Sequence, residues 1–253
     1  MVDYEVHGNV LVMTINRPEA KNAVNGEVAA GIEGGIDRLE EDPDLWIGVL
    51  ASTGDVYCAG ADLKEINSGN AAALMTQRGG FGGIVYRERR KPIIAAVDGL
   101  ATAGGCEIVL ACDLVVASTR AAFGLAEVKR NLVAGAGGLF RLPRVLPPNI
   151  AMEAILTATP IPAERAHQFG MVNRLTEPGE ALAGALGLAG EITENAPVAV
   201  WASRGVAKAA VATGEDELKR ATDQAFGEVL SSEDTKEGLT AFIEKRKPNW
   251  SGR

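Results

Sequence analysis

A glycine-rich segment that ends in a glutamate, Gly104-Gly105-Cys106-Glu107, stands where a loop is expected to become a helix. The first amides of a helix have no partner within it and lie at the positive end of the helix dipole, so the amide of Gly104 could donate to a negatively charged oxygen. Glycine here lets a ligand approach the backbone closely. The segment therefore predicts an anion-stabilising position at the start of a helix.

A second small-residue loop, Cys58-Ala59-Gly60-Ala61-Asp62-Leu63-Lys64, also leads into a possible helix. Its candidate donor is the amide of Ala61. Two such amides directed at one carbonyl oxygen would form an oxyanion hole, in which the loss of one donor typically costs about 3 kcal/mol of transition-state stabilisation. The two loops together predict a site that stabilises an enolate without a metal ion.

Two glutamates are candidates for acid and base chemistry beside these amides. Glu107 precedes an apolar run at residues 108–112, where an unpaired carboxylate would be costly to bury. Glu127 follows a small apolar stretch at residues 123–126, so it too is expected to enter a dry region. Two carboxylates that face one water molecule could hold it and divide the acid and base roles. The alternatives are a structural cap or paired charge for Glu107 and a solvated or salt-bridged helix residue for Glu127.

The histidines and cysteines give weaker evidence of a catalytic or metal site. The two histidines, His7 beside a predicted hairpin turn and His167 near a helix end, do not favour a Ser-His-Asp hydrolase. The three cysteines have neither CxxC spacing nor a neighbouring histidine, so neither a disulfide framework nor a zinc site is indicated. No metal site is predicted. Lys64, Lys245 and Arg246 are candidates for attracting phosphate groups.

The elements that must position these residues alternate between strand and helix patterns. The chain opens with a predicted hairpin over residues 3–16 that turns at Gly8-Asn9, and Asn25 can cap a helix that ends before Pro43. Further patterns predict strands at 47–51, 93–97 and 114–117, loops at 53–62 and 98–103, a helix at 104–111 and a glycine-interrupted helix at 71–90. This alternation predicts an α/β fold.

The last third of the chain is predicted to be helical. Beyond about residue 149 the strand pattern is confined to residues 171–175, and Pro197 separates two helical patterns. Ser231 and Asp234 have the spacing of a capping arrangement for a final helix. No linker rich in proline, serine or charge is present, so the helical part is expected to pack against the rest.

Composition limits the classes of partner. The formal net charge of −8 opposes non-specific binding to nucleic acid or to anionic membranes, because both need a concentrated basic face. The longest apolar stretches, at residues 93–97 and 108–112, fall far short of the roughly 20 residues that a membrane helix requires. Asp3, Tyr4 and Glu5 stand where a secretory signal would be basic and then apolar, so a cytoplasmic location is expected.

Five segments, in this order and spacing, resemble the crotonase family of enoyl-CoA hydratases and isomerases. They extend over almost the whole chain and are Asn16-Arg17-Pro18-Glu19-Ala20-Lys21-Asn22-Ala23, Cys58-Ala59-Gly60-Ala61-Asp62-Leu63-Lys64, Lys91-Pro92-Ile93-Ile94-Ala95-Ala96-Val97-Asp98-Gly99, Gly104-Gly105-Cys106-Glu107 and Phe123-Gly124-Leu125-Ala126-Glu127. Each segment is common alone, but the ordered set is very specific. Within the family, residues 79–83, 141–148 and 232–253 resemble the carnitinyl-CoA dehydratase branch.

The resemblance implies a crotonase-type spiral of repeated β-β-α units over residues 1–195. A helical C-terminal region over residues 196–253 would form trimers, which often pair into hexamers. The implied substrate is an acyl-CoA thioester, with CoA as part of the substrate and with no separate cofactor. The family pattern assigns the oxyanion hole to the amides of Ala61 and Gly104, catalysis to Glu107 and Glu127, and substrate binding to Ala61, Asp62, Leu63, Lys64 and Gly104.

Both glutamates are present, whereas isomerases usually keep one or neither, so the resemblance implies an enoyl-CoA hydratase that adds water reversibly and syn. Carnitinyl-CoA dehydratase and enoyl-CoA isomerase are alternatives within the family, and a non-catalytic acyl-CoA-binding protein is the alternative from another class. Ala103 stands where many hydratases have a third glycine, Ala126 replaces a proline, and Asn131 and Ala134 replace a glycine and a proline. Asn131 can adopt a left-handed conformation and so preserve the turn.

Overall fold

The computed structural model describes residues 1–210 and 215–253. Its strands are β1 Val2–His7, β2 Val10–Ile15, β3 Ile47–Ser52, β4 Met75–Thr76, β5 Gly80–Phe81, β6 Ile93–Val97, β7 Leu100–Thr102, β8 Leu114–Ser118, β9 Ala122–Gly124, β10 Ile161–Pro162 and β11 Arg174–Thr176. Its helices are α1 Gly26–Glu41, α2 Leu63–Asn67, α3 Gly104–Ala111, α4 Gly138–Val145, α5 Pro148–Thr157, α6 Ala163–Gln168, α7 Ala181–Thr193, α8 Pro197–Ala209, α9 Glu215–Ser231 and α10 Glu233–Glu244. The α/β prediction is confirmed.

Two sheets organise the core. The larger one has the order β1-β2-β3-β6-β8-β11, in which β1 is antiparallel to β2 and the other neighbours are parallel. Strands β3 and β6 are buried almost throughout, as expected of parallel strands that are covered on both faces. The smaller sheet has the order β10-β9-β7, so β6 and β8 are each followed by a strand of this second sheet. This succession is the predicted spiral.

Helix α1 forms as the sequence indicates. The side chain of Asn25 accepts a hydrogen bond from the amide of Val28 at 2.9 Å and so caps the helix. Val28, Ile32, Ile36 and Leu39 are fully buried, because their spacing places them on one face of the helix, which packs against the strands.

Residues 71–90 do not form the predicted interrupted helix. They contain the 3-10 helix Ala71–Leu74 and a short hairpin in which β4 pairs with β5. Gly80 and Gly82 have positive φ angles of 66° and 61°, which an α-helix does not accommodate. The hairpin brings Phe81 against the start of α3, so this correction bears directly on the site.

Two strand predictions also require correction. The predicted loop at residues 98–103 contains β7, which pairs with β9. The strand expected at residues 171–175 is displaced towards the C-terminus, since β11 pairs with β8. Met171 and Val172 are buried in the core, and the Asn173 side chain accepts a hydrogen bond from the amide of Val115. Met171 and Val172 are therefore apolar because they are buried in the connection between α6 and β11, not because they form a strand.

The final helix forms, but the predicted capping arrangement is wrong. The Ser231 hydroxyl donates to the carbonyl of Glu228. The buried carboxylate of Asp234 instead accepts from the amides of Ser251 and Gly252, at 2.7 and 2.9 Å. Asp234 thus ties the end of the chain to α10.

The proposed division between residues 195 and 196 falls between α7 and α8. Helix α7 packs on β3, β6 and β8, and α8 packs on α9. The indole of Trp201 donates to the carbonyl of Trp46 at 3.0 Å, which attaches α8 to the core. Separate roles for the two regions stay a prediction. Among the described residues, every helix is too short or too polar to cross a lipid bilayer.

Candidate active site

Helix α3 begins at the first oxyanion candidate. Ala103, just before it, has φ 51° and ψ −128°, a conformation that costs an alanine on the order of 1 to 3 kcal/mol. The amides of Cys106 and Glu107 donate to its carbonyl, whereas that of Gly104 donates to no protein acceptor among the described residues. A Cβ on Gly104 would overlap the ring of Phe81. Glycine is therefore required for packing as well as for access.

The loop before α2 holds the second candidate amide. The amide of Val24 donates to the carbonyl of Gly60, and the amide of Asp62 donates to the carbonyl of Val24, at 2.8 and 2.9 Å. The amide of Ala61, between them, has no acceptor in the part of the protein that is described. A Cβ on Gly60 would lie 3.0 Å from the nitrogen of Gly104. The two loops are thus in contact, and their unpaired amides are near neighbours.

An ion pair fixes the loop that carries Ala61. The guanidinium of Arg17 donates to Oδ2 of Asp62 at 2.6 Å, and Oδ1 accepts from the amide of Lys64 at 2.9 Å. Burial would raise the pKa of Asp62, but the hydrogen bonds from Arg17 and from that amide lower it below its ordinary value. Both carboxylate oxygens are therefore engaged within the protein.

A cavity of about 1200 Å³ runs past both amides and both glutamates. A volume of this size accommodates a large organic ligand. The structure brings together, in its lining, all of the site residues proposed from the sequence, namely Ala61, Asp62, Leu63, Lys64, Gly104, Glu107 and Glu127.

Glu107 projects from α3 into the cavity wall and is only 3% exposed. Its Oε1 accepts hydrogen bonds from the amides of Ala136 and Gly138 at 2.8 and 2.9 Å. Burial raises the pKa of Glu107, whereas the two amides and the charge of Arg141 act in the opposite direction. No described donor of the protein binds Oε2, so one oxygen is held and the other is available to a ligand.

Glu127 opens the 3-10 helix Glu127–Arg130, which is separated from β9 by Leu125 and Ala126. Its Oε2 is buried and has no hydrogen-bond partner among the residues that the structure describes. Burial raises the pKa of Glu127, and the negative charge of Glu107 raises it further. Glu127 is half-buried, and no ion pair joins it to a residue that the structure describes. Asn131 ends the helix with φ 55°, so the left-handed turn expected of it is confirmed.

Basic side chains line part of the cavity, and most of them were not selected from the sequence: Arg17, Lys21, Lys64, Lys129 and Arg130. They come from segments more than 100 positions apart, so local patterns give no sign of the cluster. Lys245 and Arg246 lie outside the lining. Arg246 pairs with Glu237 and Glu244, both at 2.6 Å.

Aromatic rings are scarce around the cavity. Of the aromatic side chains that are described, Phe81 alone belongs to the lining. The ring centres of Tyr86 and Phe140 lie 5.7 and 5.1 Å from the guanidinium carbon of Arg141, and neither ring belongs to the lining. Trp250 is held at the end of the chain, where its indole donates to the carbonyl of Glu194.

The histidines and cysteines lie outside this arrangement. His7 is beside the β1–β2 turn and His167 is in α6, and neither lines the cavity. Burial raises the pKa of Cys58 and of Cys112 to about 12, so both thiols stay protonated at neutral pH. A structural role for these residues stays a prediction from the sequence.

Comparison with known proteins decides the family. A family model described as enoyl-CoA hydratase/isomerase matches residues 5–253. The chain belongs to the enoyl-CoA hydratase/isomerase family. The resemblance inferred from the five ordered segments is therefore confirmed.

Relatives of this hydratase/isomerase family member match nearly its whole length. A mevalonyl-coenzyme A hydratase from Aspergillus fumigatus is 38% identical over 246 residues, 96% of this chain and 91% of that protein. The crystal structure of an enoyl-CoA hydratase from Mycobacterium tuberculosis matches with a TM-score of 0.95 and 45% sequence identity. The match covers 100% of this chain and 99% of that chain. A carnitinyl-CoA hydratase from Mycobacterium avium is 44% identical with a TM-score of 0.80, covering 100% and 98%. The crotonase-type spiral is confirmed.

Several contacts in this family member were not foreseen. The donors to Glu107 are backbone amides, and neither Ala136 nor Gly138 has a side chain that signals such a role. A pair such as Gly137-Gly138 is in itself typical of turns and close packing. Arg141, one turn into α4, belongs to the segment 141–148 that resembles the carnitinyl-CoA dehydratase branch, but it was not selected as a site residue. These contacts depend on how distant segments pack.

Proposed function

We propose that this protein is an enoyl-CoA hydratase that adds water reversibly and syn across the α,β double bond of a 2-enoyl-CoA thioester. The observation that carries the proposal is the convergence of two unpaired amides, from Ala61 and Gly104, with Glu107 and Glu127 on one cavity. The similarity to an enoyl-CoA hydratase of known structure supports it, as does a short-chain-enoyl-CoA hydratase from Clostridium acetobutylicum that is 39% identical over 247 residues.

In this mechanism the amides of Ala61 and Gly104 donate to the thioester oxygen and stabilise the enolate. Water attacks the β-carbon while Glu107 accepts one of its protons, and the double-bond electrons move towards the carbonyl. Glu127 then donates its proton to the α-carbon as the thioester re-forms. A C–O and a C–H bond are made on one face. A proton passes from Glu107 to Glu127 before the next turnover, so the glutamates return to their starting states.

The environments of the two glutamates favour this division of roles. Burial raises the pKa of Glu107, but the two amides on Oε1 act against this effect and stabilise the ionised form that a base requires. Glu127 has an unpartnered buried oxygen and faces the negative charge of Glu107, which favours the protonated form that an acid requires. Because each charge acts on the other, the two groups titrate as a coupled pair.

The basic part of the cavity suits the phosphate groups of CoA. Lys21, Lys64 and Arg130 are in the lining and supply positive charge. Leu63 is 55% exposed at the start of α2, where an apolar contact with the ligand is possible. Segment 61–64 is therefore the proposed CoA-contacting edge.

The acyl part of the cavity suits a neutral, aliphatic group. Phe81, Leu132 and Val133 line it. A quaternary ammonium group would prefer several aromatic faces around it, but Phe81 is the single aromatic residue in the described lining, and Tyr86 and Phe140 lie outside it. Carnitinyl-CoA dehydratase is therefore the less favoured alternative, although a carnitinyl-CoA dehydratase from Salmonella arizonae is 35% identical over 252 residues.

We also propose a homotrimer or a pair of trimers, with no metal, no separate cofactor, and neither nucleic acid nor membrane as a partner. Phe226, Leu230, Leu239 and Ile243 on α9 and α10 are 56% to 78% exposed. A concentration of large apolar side chains on a surface typically marks an interface. A cytoplasmic location stays a prediction from the sequence.

The decisive experiment incubates the purified protein with crotonyl-CoA, longer 2-enoyl-CoAs, a 3-enoyl-CoA and crotonobetainyl-CoA, and identifies products by mass and chirality. We expect stereospecific hydration of the neutral 2-enoyl thioesters and little conversion of crotonobetainyl-CoA. Double-bond migration without hydration would indicate an isomerase. Tight binding with no turnover of any thioester would indicate a non-catalytic acyl-CoA-binding protein.

A further inference from the structure

The loop at residues 135–138, here termed the clamp loop, supplies both amides that hold Glu107. The amides of Ala136 and Gly138 donate to one oxygen, Oε1, at 2.8 and 2.9 Å. Gly137, between them, has φ 103°, a conformation that residues with a side chain rarely adopt. Because Glu107 is almost fully buried, the direction of its carboxylate depends on where this loop lies.

Arg141 and its neighbours anchor the clamp loop to the segment after β5. Nη1 of Arg141 donates to the carbonyl of Ala136 at 3.1 Å, and Nη2 donates to the carbonyl of Val85. The Tyr86 hydroxyl donates to the carbonyl of Gly135 at 3.1 Å. The carbonyl of Gly135 is therefore bound directly by Tyr86. The carbonyl of Ala136 is linked to that of Val85 through the guanidinium of Arg141.

No carboxylate in the described part of the chain pairs with the charge of Arg141. Its guanidinium forms no ion pair there and lies over the rings of Tyr86 and Phe140. Burial lowers the pKa of Arg141, whereas Tyr86 and Glu107 raise it, and Arg141 in turn lowers the pKa of Glu107. Arg141 and Glu107 thus interact electrostatically without direct contact.

Few other ionisable groups act on Glu107. Glu127 faces it across the cavity, and the charge of Glu107 raises the pKa of Glu127. Cys106, the preceding residue, is buried and its pKa is raised far above neutrality, so it stays uncharged. Among the described groups that shift the pKa of Glu107, Arg141 alone is positively charged.

We propose that Arg141 is a positioning residue for hydration. By holding the clamp loop it keeps both amides on Oε1 of Glu107 and leaves Oε2 for the reacting water, and its charge favours the ionised base. The inference rests on the proposed role of Glu107. Arg141 does not line the cavity, so it acts through the clamp loop and not on the substrate.

The test compares Arg141→Gln with Arg144→Gln. Arg144 is one turn further along α4 and lies over the ring of Phe140 at 5.4 Å, but no hydrogen bond joins it to the clamp loop in the described structure. For Arg141→Gln we expect kcat for crotonyl-CoA to fall about tenfold to a hundredfold, while KM stays within about twofold of the parent value. The reason is that the variant displaces the base Glu107 but leaves the substrate-binding site unchanged. The acid limb of the pH profile should move to higher pH. Arg144→Gln should match the parent.

Two further variants separate position from charge. Arg141→Lys keeps the charge but loses the forked contact, so we expect a lower kcat with an acid limb near that of the parent. Tyr86→Phe removes only the hydrogen bond to Gly135 and should also lower kcat. These variants decide the question if Arg141→Gln does not fold, as judged by circular dichroism. Parent values of kcat in both would then overturn the proposal.

Carboxyl ¹³C NMR makes the result independent of turnover. The Glu107 signal, assigned by its loss in Glu107→Gln, should titrate at higher pH in Arg141→Gln than in the parent or in Arg144→Gln. An unchanged titration together with an unchanged kcat would refute the role of Arg141 and leave the hydratase proposal intact. A parent without hydratase activity would refute the function instead, and the NMR titration would still test the link between Arg141 and Glu107.

Discussion

Glu127 carries a buried carboxylate oxygen that no described protein group satisfies. Burial and the charge of Glu107 raise its pKa in the folded protein, and neither influence acts in the unfolded chain. The folded state therefore binds the proton more tightly. The resulting stabilisation is complete below the unfolded pKa and is lost as the pH rises through the folded pKa. As the pH rises through the folded pKa, ionisation of Glu127 lowers the free energy of unfolding.

Glu127→Gln should separate activity from stability. We expect kcat for hydration to fall by about 10² to 10⁴, because the proton donor is lost. The free energy of unfolding should equal or exceed that of the parent at pH 8, and the difference should disappear near pH 4, where the parent is protonated. Steady-state kinetics and urea unfolding at both pH values check this. A variant with parental kcat would remove Glu127 from the mechanism.

The absence of a side chain at Gly104 is expected to matter for both packing and catalysis. In Gly104→Ala the new Cβ would overlap Phe81, so we expect a loss of about 1 to 3 kcal/mol of stability and a fall in kcat of about a hundredfold. Gly187→Ala is the control, because no atom lies within 4 Å of a Cβ there. It should keep parental activity and be as stable or slightly more stable. Equal behaviour of the two variants would contradict the packing argument.

The loop between β3 and α2 depends on a partner from far along the chain. Arg17 follows β2, yet its guanidinium binds Asp62 at the entry to α2. Removing one member of a largely buried pair leaves the other charge poorly solvated, which costs more than the pair itself contributes. The position of the Ala61 amide is therefore expected to depend on this contact.

Asp62→Asn tests the contribution of this pair. The pKa of Asp62 is lowered in the folded state, so its stabilisation is present above the unfolded pKa and is lost as the pH falls through the folded pKa. We expect the variant to be roughly 1 to 3 kcal/mol less stable at pH 7, with the difference narrowing below about pH 4. Denaturant unfolding across pH measures it, with the exposed Glu27→Gln on α1 as control. A difference that is constant across pH would exclude the ionised carboxylate as the cause.

The hairpin formed by β4 and β5 shows why some elements escape sequence patterns. Residues 71–90 have helix formers at both ends, and the glycines between them suggested only an interruption. In the structure Gly83 lies so close to α1 that an added Cβ would overlap the carbonyl of Ala29. The conformation is thus selected by contact with a distant helix, a preference that local propensity does not contain.

Exposed apolar side chains on the C-terminal helices bear on the predicted trimer. Leu239 and Ile243 on α10 are 63% and 78% exposed, and both are large and apolar. Burying such a surface between subunits would remove apolar area from water, at about 25 cal/mol per Å². A helical C-terminal region with this surface is consistent with the predicted trimer.

Light scattering coupled to gel filtration tests the trimer. We expect a mass of three or six chains for the parent and a shift to smaller species for Leu239→Asp, because a charge would be buried at the interface. Lys236→Asp places the same residue at an exposed polar position on the same helix and should leave the mass unchanged. A monomeric parent would refute the assembly.

The sequence by itself determined the features that rest on neighbouring residues. The first hairpin, the helix capped by Asn25 and the start of α3 at Gly104 follow from turn residues, capping and apolar period, all of which act within a few positions. The five ordered segments likewise identified the family and selected Glu107 and Glu127. The local elements used side-chain identities in a short window, and the family inference used the order and spacing of five such windows.

Only the tertiary structure decided what surrounds those residues. The amide of Ala136 reaches Glu107 across 29 positions, and Arg141 reaches Val85 across 56. Every residue except proline has the same backbone N–H donor. The residue type therefore does not indicate which backbone N–H groups bind a carboxylate. Their selection depends on which loops pack together, and that is fixed by the burial of the whole core.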